Sequence, residues 1–150
     1  MRNSAAYTVE DQIAALKTAA FHLEDDGVLA FNVFFPLFDR LYSRIGEEVP
    51  EMEWTDASDP SKMVQRYFRK ESLDKVNQNF SLTYIFRTWQ NGKVIQEETE
   101  PLKMSYYTYP QLRALFLLAG LEIVEEYGSF AKAPLDNDAQ EMIFMLKKAR

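Results

Sequence analysis

Residues 9–36 read VEDQIAALKTAAFHLEDDGVLAFNVFFP, and two patterns within this stretch decide the fold class. Val9, Ile13, Leu16, Ala20 and Leu23 recur at steps of four, three, four and three, laying one apolar stripe along a helix of about residues 9–23. Thr8 and Asp11 have capping-box spacing, with Asp in place of the usual Glu or Gln. Glu10 and Asp11 put negative charge on the first turn, where the helix dipole favours it. Glu24-Asp25-Asp26-Gly27 then stops the helix with a turn. Val28 to Phe35 is an almost unbroken apolar run, interrupted only by Asn32. Its length and its Val and Phe content predict a strand buried on both faces of a parallel sheet. Helix, acidic turn and strand make half of a βαβ unit.

The pattern changes downstream. A short helix is expected within Pro36–Ile45, and Gly46 to Lys62, polar, acidic and proline-bearing, reads as a loop. Glu47, Glu48, Glu51 and Glu53 in that loop lack the defined turn that an oxygen-ligand cation site needs, so they read as solvated. Phe80, Leu82, Tyr84 and Phe86 alternate with Ser81, Thr83, Ile85 and Arg87, the period of a half-buried strand. Asn91-Gly92 follows, a hairpin signal because both central residues of a type I′ turn need positive φ. The return strand runs toward Met104, and Met63–Arg69 makes a third strand, so an antiparallel β meander is expected over about residues 63–106.

The α/β pattern then resumes. Thr108 and Gln111 again have capping-box spacing, Pro110 lies in the first turn, and Leu112, Leu115, Phe116 and Ala119 form the apolar stripe. Gly120 is placed to end that helix. Leu121–Tyr127 and Glu141–Lys148 read as the last two strands. In the second of them, Met142, Phe144 and Leu146 share one face while Ile143 and Met145 share the other. The expected organisation is a single α/β domain over residues 1–150 with the meander inserted.

Composition narrows the function classes. The chain has 150 residues, 47% of them apolar and 14% aromatic, enough for a packed core. Its net charge of −6 argues against a nucleic-acid footprint, which needs clustered Lys and Arg. No apolar run approaches the roughly eighteen residues of a membrane span, and the opening residues do not read as a signal peptide, so a cytoplasmic protein is expected. One histidine, His22, and no cysteine leave no ordinary zinc site and no thiolate nucleophile. His22 falls at a helix end, where a cation complements the dipole, and reads as structural or solvated. The glycines are Gly27, Gly46, Gly92, Gly120 and Gly128, so no Gly-x-Gly phosphate or cofactor loop exists in the chain.

Several segments, taken in order, resemble the class I S-adenosylmethionine (SAM) dependent methyltransferases. Val9-Glu10-Asp11-Gln12-Ile13-Ala14-Ala15-Leu16 followed by His22-Leu23 and Val28-Leu29-Ala30-Phe31-Asn32-Val33-Phe34-Phe35-Pro36 is similar to that family's helix leading into its fifth sheet strand. Leu102-Lys103-Met104-Ser105-Tyr106-Tyr107 resembles the approach to its last helix. Leu117-Leu118-Ala119-Gly120-Leu121-Glu122-Ile123-Val124 resembles the following turn and strand, and Tyr127-Gly128 with the closing strand resembles its reversed terminal hairpin. Asp25-Asp26-Gly27 departs from the family's Pro-Gly-Gly, Asn32 stands where aspartate is common, and Ala5, Ala6 and Tyr7 also differ.

The resemblance implies the C-terminal part of a Rossmann-like methyltransferase sheet with a small antiparallel meander inserted. It implies that the glycine-rich SAM loop and the ribose-holding acid belong to strands upstream, and that Met1 marks a truncated frame or an internal start. The complete protein would then use SAM to methylate a small-molecule acceptor, while the isolated chain would hold no SAM. Asn3, Ser4 and Tyr7 are the residues that would meet the cofactor; Phe34, Phe35, Tyr106 and Tyr107 would face the acceptor. Packing or solvent exposure is the plain alternative for each. No catalytic residue and no metal ligand is assigned. The second reading is a non-enzymatic module whose aromatic meander (Tyr67, Phe68, Phe80, Tyr84, Phe86, Trp89) binds an apolar ligand or a partner. In the fragment reading the strand at 28–34 is left as an edge, which predicts a homo-oligomer of the isolated chain, either as a symmetric dimer through this edge or by exchange of the N-terminal helix.

Overall fold

A computed structural model describes residues 7–150. In chain order the elements are α1 (Val9–His22), β1 (Leu29–Phe34), α2 (Phe38–Leu41), β2 (Glu48–Thr55), β3 (Lys62–Asp74), β4 (Asn79–Gln90), β5 (Lys93–Ser105), α3 (Tyr109–Leu118), β6 (Leu121–Tyr127) and β7 (Glu141–Lys148). They fall into two compact units. One holds the described residues through Leu37 together with Ser105–Arg150, and the other holds Phe38–Met104.

The first unit is a three-stranded sheet of order β1-β7-β6 with α1 and α3 packed together. Both pairings are antiparallel, so β1 and β6 run the same way with β7 reversed between them. The last two strands are thus antiparallel neighbours in the sheet of β1. α1 starts at the expected cap, with Thr8 Oγ1 accepting the Asp11 N–H at 3.1 Å. At α3, Gln111 Oε1 accepts the Thr108 N–H at 3.4 Å, and Gly120 lies just beyond the last turn at φ 73°. The core joins Ala20 of α1, Leu112, Leu115 and Phe116 of α3, Leu121 of β6, and Met142, Phe144 and Leu146 of β7. Phe144 is its centre, in ring contact with Phe31 at 5.8 Å, Phe116 at 5.1 Å and Tyr109 at 6.3 Å. Burying Phe116 and Phe144, at about 1.5–3 kcal/mol each for a fully buried side chain, with Phe31 and Tyr109 partly buried beside them, supplies much of the drive to dock the helices.

β1 departs from expectation in its burial. Leu29, Phe31 and Val33 pack on the core, whereas Ala30 and Asn32 are exposed, so one face is covered rather than two. Its single strand partner among the described residues is β7, and that pairing is antiparallel, not parallel. An unbroken apolar run tells how apolar a strand is, but not which layers lie above and below it.

The second unit is an antiparallel sheet of order β2-β3-β4-β5. The β4–β5 turn is at Asn91-Gly92, with φ of 51° and 72°, the left-handed pair a two-residue hairpin requires. Residues 48–55, expected to be loop, form strand β2 paired along β3. The loop reading is therefore corrected, while the four acids are solvent-exposed as expected; two of them also form ion pairs, Glu51 with Arg66 at 2.8 Å, and Glu48 with Arg87 at 2.8 Å and Arg69 at 3.5 Å. Pro50 is tolerated because β2 is an edge strand, and the register shifts between Pro50 and Met52. The short helix expected in 36–45 spans only Phe38–Leu41.

Candidate functional site

At the carboxyl end of β1, Phe34 lies in register with Glu141, and the Phe35 N–H donates to the Gln140 carbonyl at 3.0 Å. Phe35 and Tyr107 are half-buried against the core, and Tyr106 is 1% exposed, an interior side chain. Burial raises the Tyr107 phenol above its ordinary pKa. Tyr7, just ahead of α1, is half-buried; Asn3 and Ser4 lie outside the described residues.

Tyr107 forms one wall of an apolar crevice of about 170 Å³, with Gln12, Ala15 and Leu16 of α1, Phe31 and Val33 of β1, and Leu112, Leu115 and Phe116 of α3. Of the four acceptor-side residues expected from sequence, Tyr107 lines this crevice; Phe34, Phe35 and Tyr106 do not. The crevice is smaller than the roughly 300–1,000 Å³ of most small-molecule sites, and its polar groups are the Gln12 amide and the Tyr107 phenol. Sequence reasoning misses Gln12, although it sits four residues before Leu16 on the buried flank of α1 and is 7% exposed.

Two further polar arrangements stand out. The Tyr109 hydroxyl donates to Glu126 Oε2 at 2.8 Å and Oε1 at 3.0 Å, tying α3 to β6. Burial first, and the Glu126 carboxylate second, hold its proton to higher pH than usual. In the second unit, a cavity of about 420 Å³ is lined by Arg40, Ser43, Arg44, Val49, Phe68 and Lys70. Sequence reasoning misses this cavity too; the one available signal is two arginines four apart in an acidic chain. Among the described residues, no group of three or more His, Asp or Glu is placed to hold a metal ion. Among the same residues, no helix is long and apolar enough to cross a membrane.

The glycines test whether the described residues fit SAM. Gly46, Gly92 and Gly120 occupy left-handed turns, while Gly27 and Gly128 are pressed against their own chain, Gly27 on Glu24 and Gly128 on Pro134. All five serve local structure, and none belongs to a Gly-x-Gly loop among the described residues.

No protein-family model matches the chain, and no curated protein matches it in sequence. In fold it is similar to the CcbJ methyltransferase from Streptomyces caelestis, with a TM-score of 0.72 and 19% identity over 95% of this chain and 55% of that one. A SAM-dependent methyltransferase from Clostridium acetobutylicum gives a TM-score of 0.72 and 14% identity over 100% of this chain and 56% of that one. CalS10, an amino pentose methyltransferase from Micromonospora echinaspora, gives 0.61 and 16% over 92% and 51%. The fold is therefore that of the Rossmann-like SAM-dependent methyltransferases. The chain spans about half the length of these structures.

Proposed function

We propose that this chain is the acceptor-side, C-terminal part of a SAM-dependent methyltransferase acting on a small molecule, and that the 150 residues alone neither hold SAM nor transfer a methyl group. The observation that carries the reading is the β1-β7-β6 order with β7 reversed, in a fold shared with methyltransferases. In this proposal the antiparallel sheet of Phe38–Met104 is an insertion into the methyltransferase frame. Phe34, Phe35 and Tyr107 shape the acceptor side at the end of β1. Tyr106 supports them from the interior, and Asn3, Ser4 and Tyr7 meet the cofactor of the complete protein. Such a site works by positioning and by excluding water, because an acceptor that is already nucleophilic needs little proton transfer. A cytoplasmic setting belongs to the same proposal and suits a chain without cysteine.

Calorimetric titration of the chain with SAM tests the cofactor claim. Micromolar affinity corresponds to roughly 8 kcal/mol, which is hard to assemble without a glycine-rich loop and a ribose-holding acid. The expected result is no saturable heat at micromolar SAM; clear saturation would overturn the claim. Reading the genomic sequence upstream of Met1 in frame tests the rest. A Gly-x-Gly following a strand pattern is expected there, and its absence would count against the methyltransferase assignment.

A further inference from the structure

The cavity of the second unit gathers three cations and no acid on its walls: Arg40 at the end of α2, Arg44 in the loop after it, and Lys70 on β3. Lys70 is 5% exposed, and its Nζ donates to the carbonyls of Arg40 at 2.7 Å, Leu41 at 2.9 Å and Ser43. Those three carbonyls use all three ammonium protons and neutralise none of the charge. Around this ammonium the loop is tied to β3. The Gly46 N–H donates to the Lys70 carbonyl at 2.8 Å, and Ile45 bridges the same residue. Lys70 therefore positions the turn, and the turn presents Arg40 and Arg44 at the cavity.

Neither arginine, nor Lys70, makes an ion pair with a carboxylate among the described residues, although the chain carries 23 Asp and Glu against 17 Lys and Arg. The other arginines of this unit behave differently. Arg66, Arg69 and Arg87 each hold one or two glutamates. Burial and the nearby Arg44 charge both push the Lys70 pKa down, the signature of a cation lacking a counter-charge. Val49 and Phe68 supply an apolar wall, and the volume falls within the range of small-molecule sites.

We propose that this cavity binds the oxyanion group, phosphate or carboxylate, of a small organic molecule. Arg40 and Arg44 contact the anion through their guanidinium forks, which match either oxyanion in geometry. Lys70 contributes its field but no hydrogen bond, and the apolar wall receives the remainder of the molecule. The proposal stands independently of methyl transfer.

The test uses the whole chain, titrated separately with inorganic phosphate and with acetate, while the arginine side-chain N–H signals are followed by NMR. Saturable shifts at Arg40 and Arg44 are expected with at least one anion. Response to phosphate alone points to a phosphoryl ligand, and response to acetate points to a carboxylate. Arg40→Ala with Arg44→Ala should weaken binding by about tenfold or more, from two lost charge-assisted contacts. Both side chains are exposed, so the fold should survive. Shifts that stay linear with both anions, or saturable binding unchanged in the double variant, would overturn the proposal. Lys70→Met adds a separate readout if it folds: weaker binding is expected, although Lys70 touches no ligand. If it does not fold, the arginine pair alone decides.

Discussion

Gly128 shows how much one missing side chain can decide. Its N–H donates to the Ala133 carbonyl at 2.8 Å, and its carbonyl accepts from the Gln140 and Glu141 N–H groups at 3.3 Å. A Cβ there would lie 2.9 Å from the Ala139 Cβ and well inside contact distance of the Pro134 carbonyl oxygen. Backbone, not a movable side-chain end, stands in the way, so Gly128→Ala must shift the loop that leads into β7. A loss of about 1–3 kcal/mol is expected, the usual cost of overpacking. Urea denaturation measures it, and a change below about 0.5 kcal/mol, typical of a neutral surface site, would show that the loop yields freely. Phe144→Ala should cost more, about 3–5 kcal/mol, because it removes the ring on which Phe31, Tyr109 and Phe116 all pack.

At the scale of elements, β2 is the least secured strand. It is an edge, contains Pro50, and buries little apolar surface, with only Val49 half-buried. Cross-strand ion pairs supply its register instead. The Arg87 hydrogen bond holds the Glu48 carboxyl below its ordinary value of 4.5. A carboxylate with a depressed folded-state pKa contributes stability that is complete above its unfolded value and is lost as pH falls through the folded one. β2 should therefore loosen as the solution is acidified below about pH 4.5, ahead of the apolar core. Hydrogen exchange across that range checks the point, with the amides of β2 expected to lose protection before those of β7. Glu48→Gln should flatten the pH dependence of β2 exchange; an unchanged dependence would remove Glu48 from the explanation.

For the whole molecule, the behaviour in solution turns on the outer side of β1. Among the described residues it pairs only with β7, and Ala30 on its exposed face carries no charge to discourage pairing with another chain. We infer self-association through this edge as part of the proposed function, since an unpaired strand edge is a template for pairing with another chain. Sedimentation at tens of micromolar should show a dimer or larger species. Ala30→Lys should weaken it, because a charged side chain on an edge strand discourages pairing with another chain. A monomer at that concentration would sink the inference.

Much of the first unit is legible in the amino-acid sequence. The stripe from Val9 to Leu23, the cap at Thr8, the Gly120 stop and the two-faced apolar pattern of residues 142–146 are local signals, and each marks an element within a residue or two. Asn91-Gly92 announces its hairpin because few residue pairs tolerate two consecutive positive φ angles. Periodicity and turn chemistry act over a handful of residues, so the chain itself carries them. Partner choice does not work that way. β2 is a strand because it pairs along β3, where Glu48 and Glu51 also meet Arg69, Arg66 and, from β4, Arg87, a fact invisible in a polar stretch read alone. β1 is half-covered because of what lies beside it, and Arg40, Arg44 and Lys70 meet only because a lysine 30 residues downstream of Arg40 caps its turn. Those outcomes depend on contacts distant in sequence, which only the folded arrangement of strands decides.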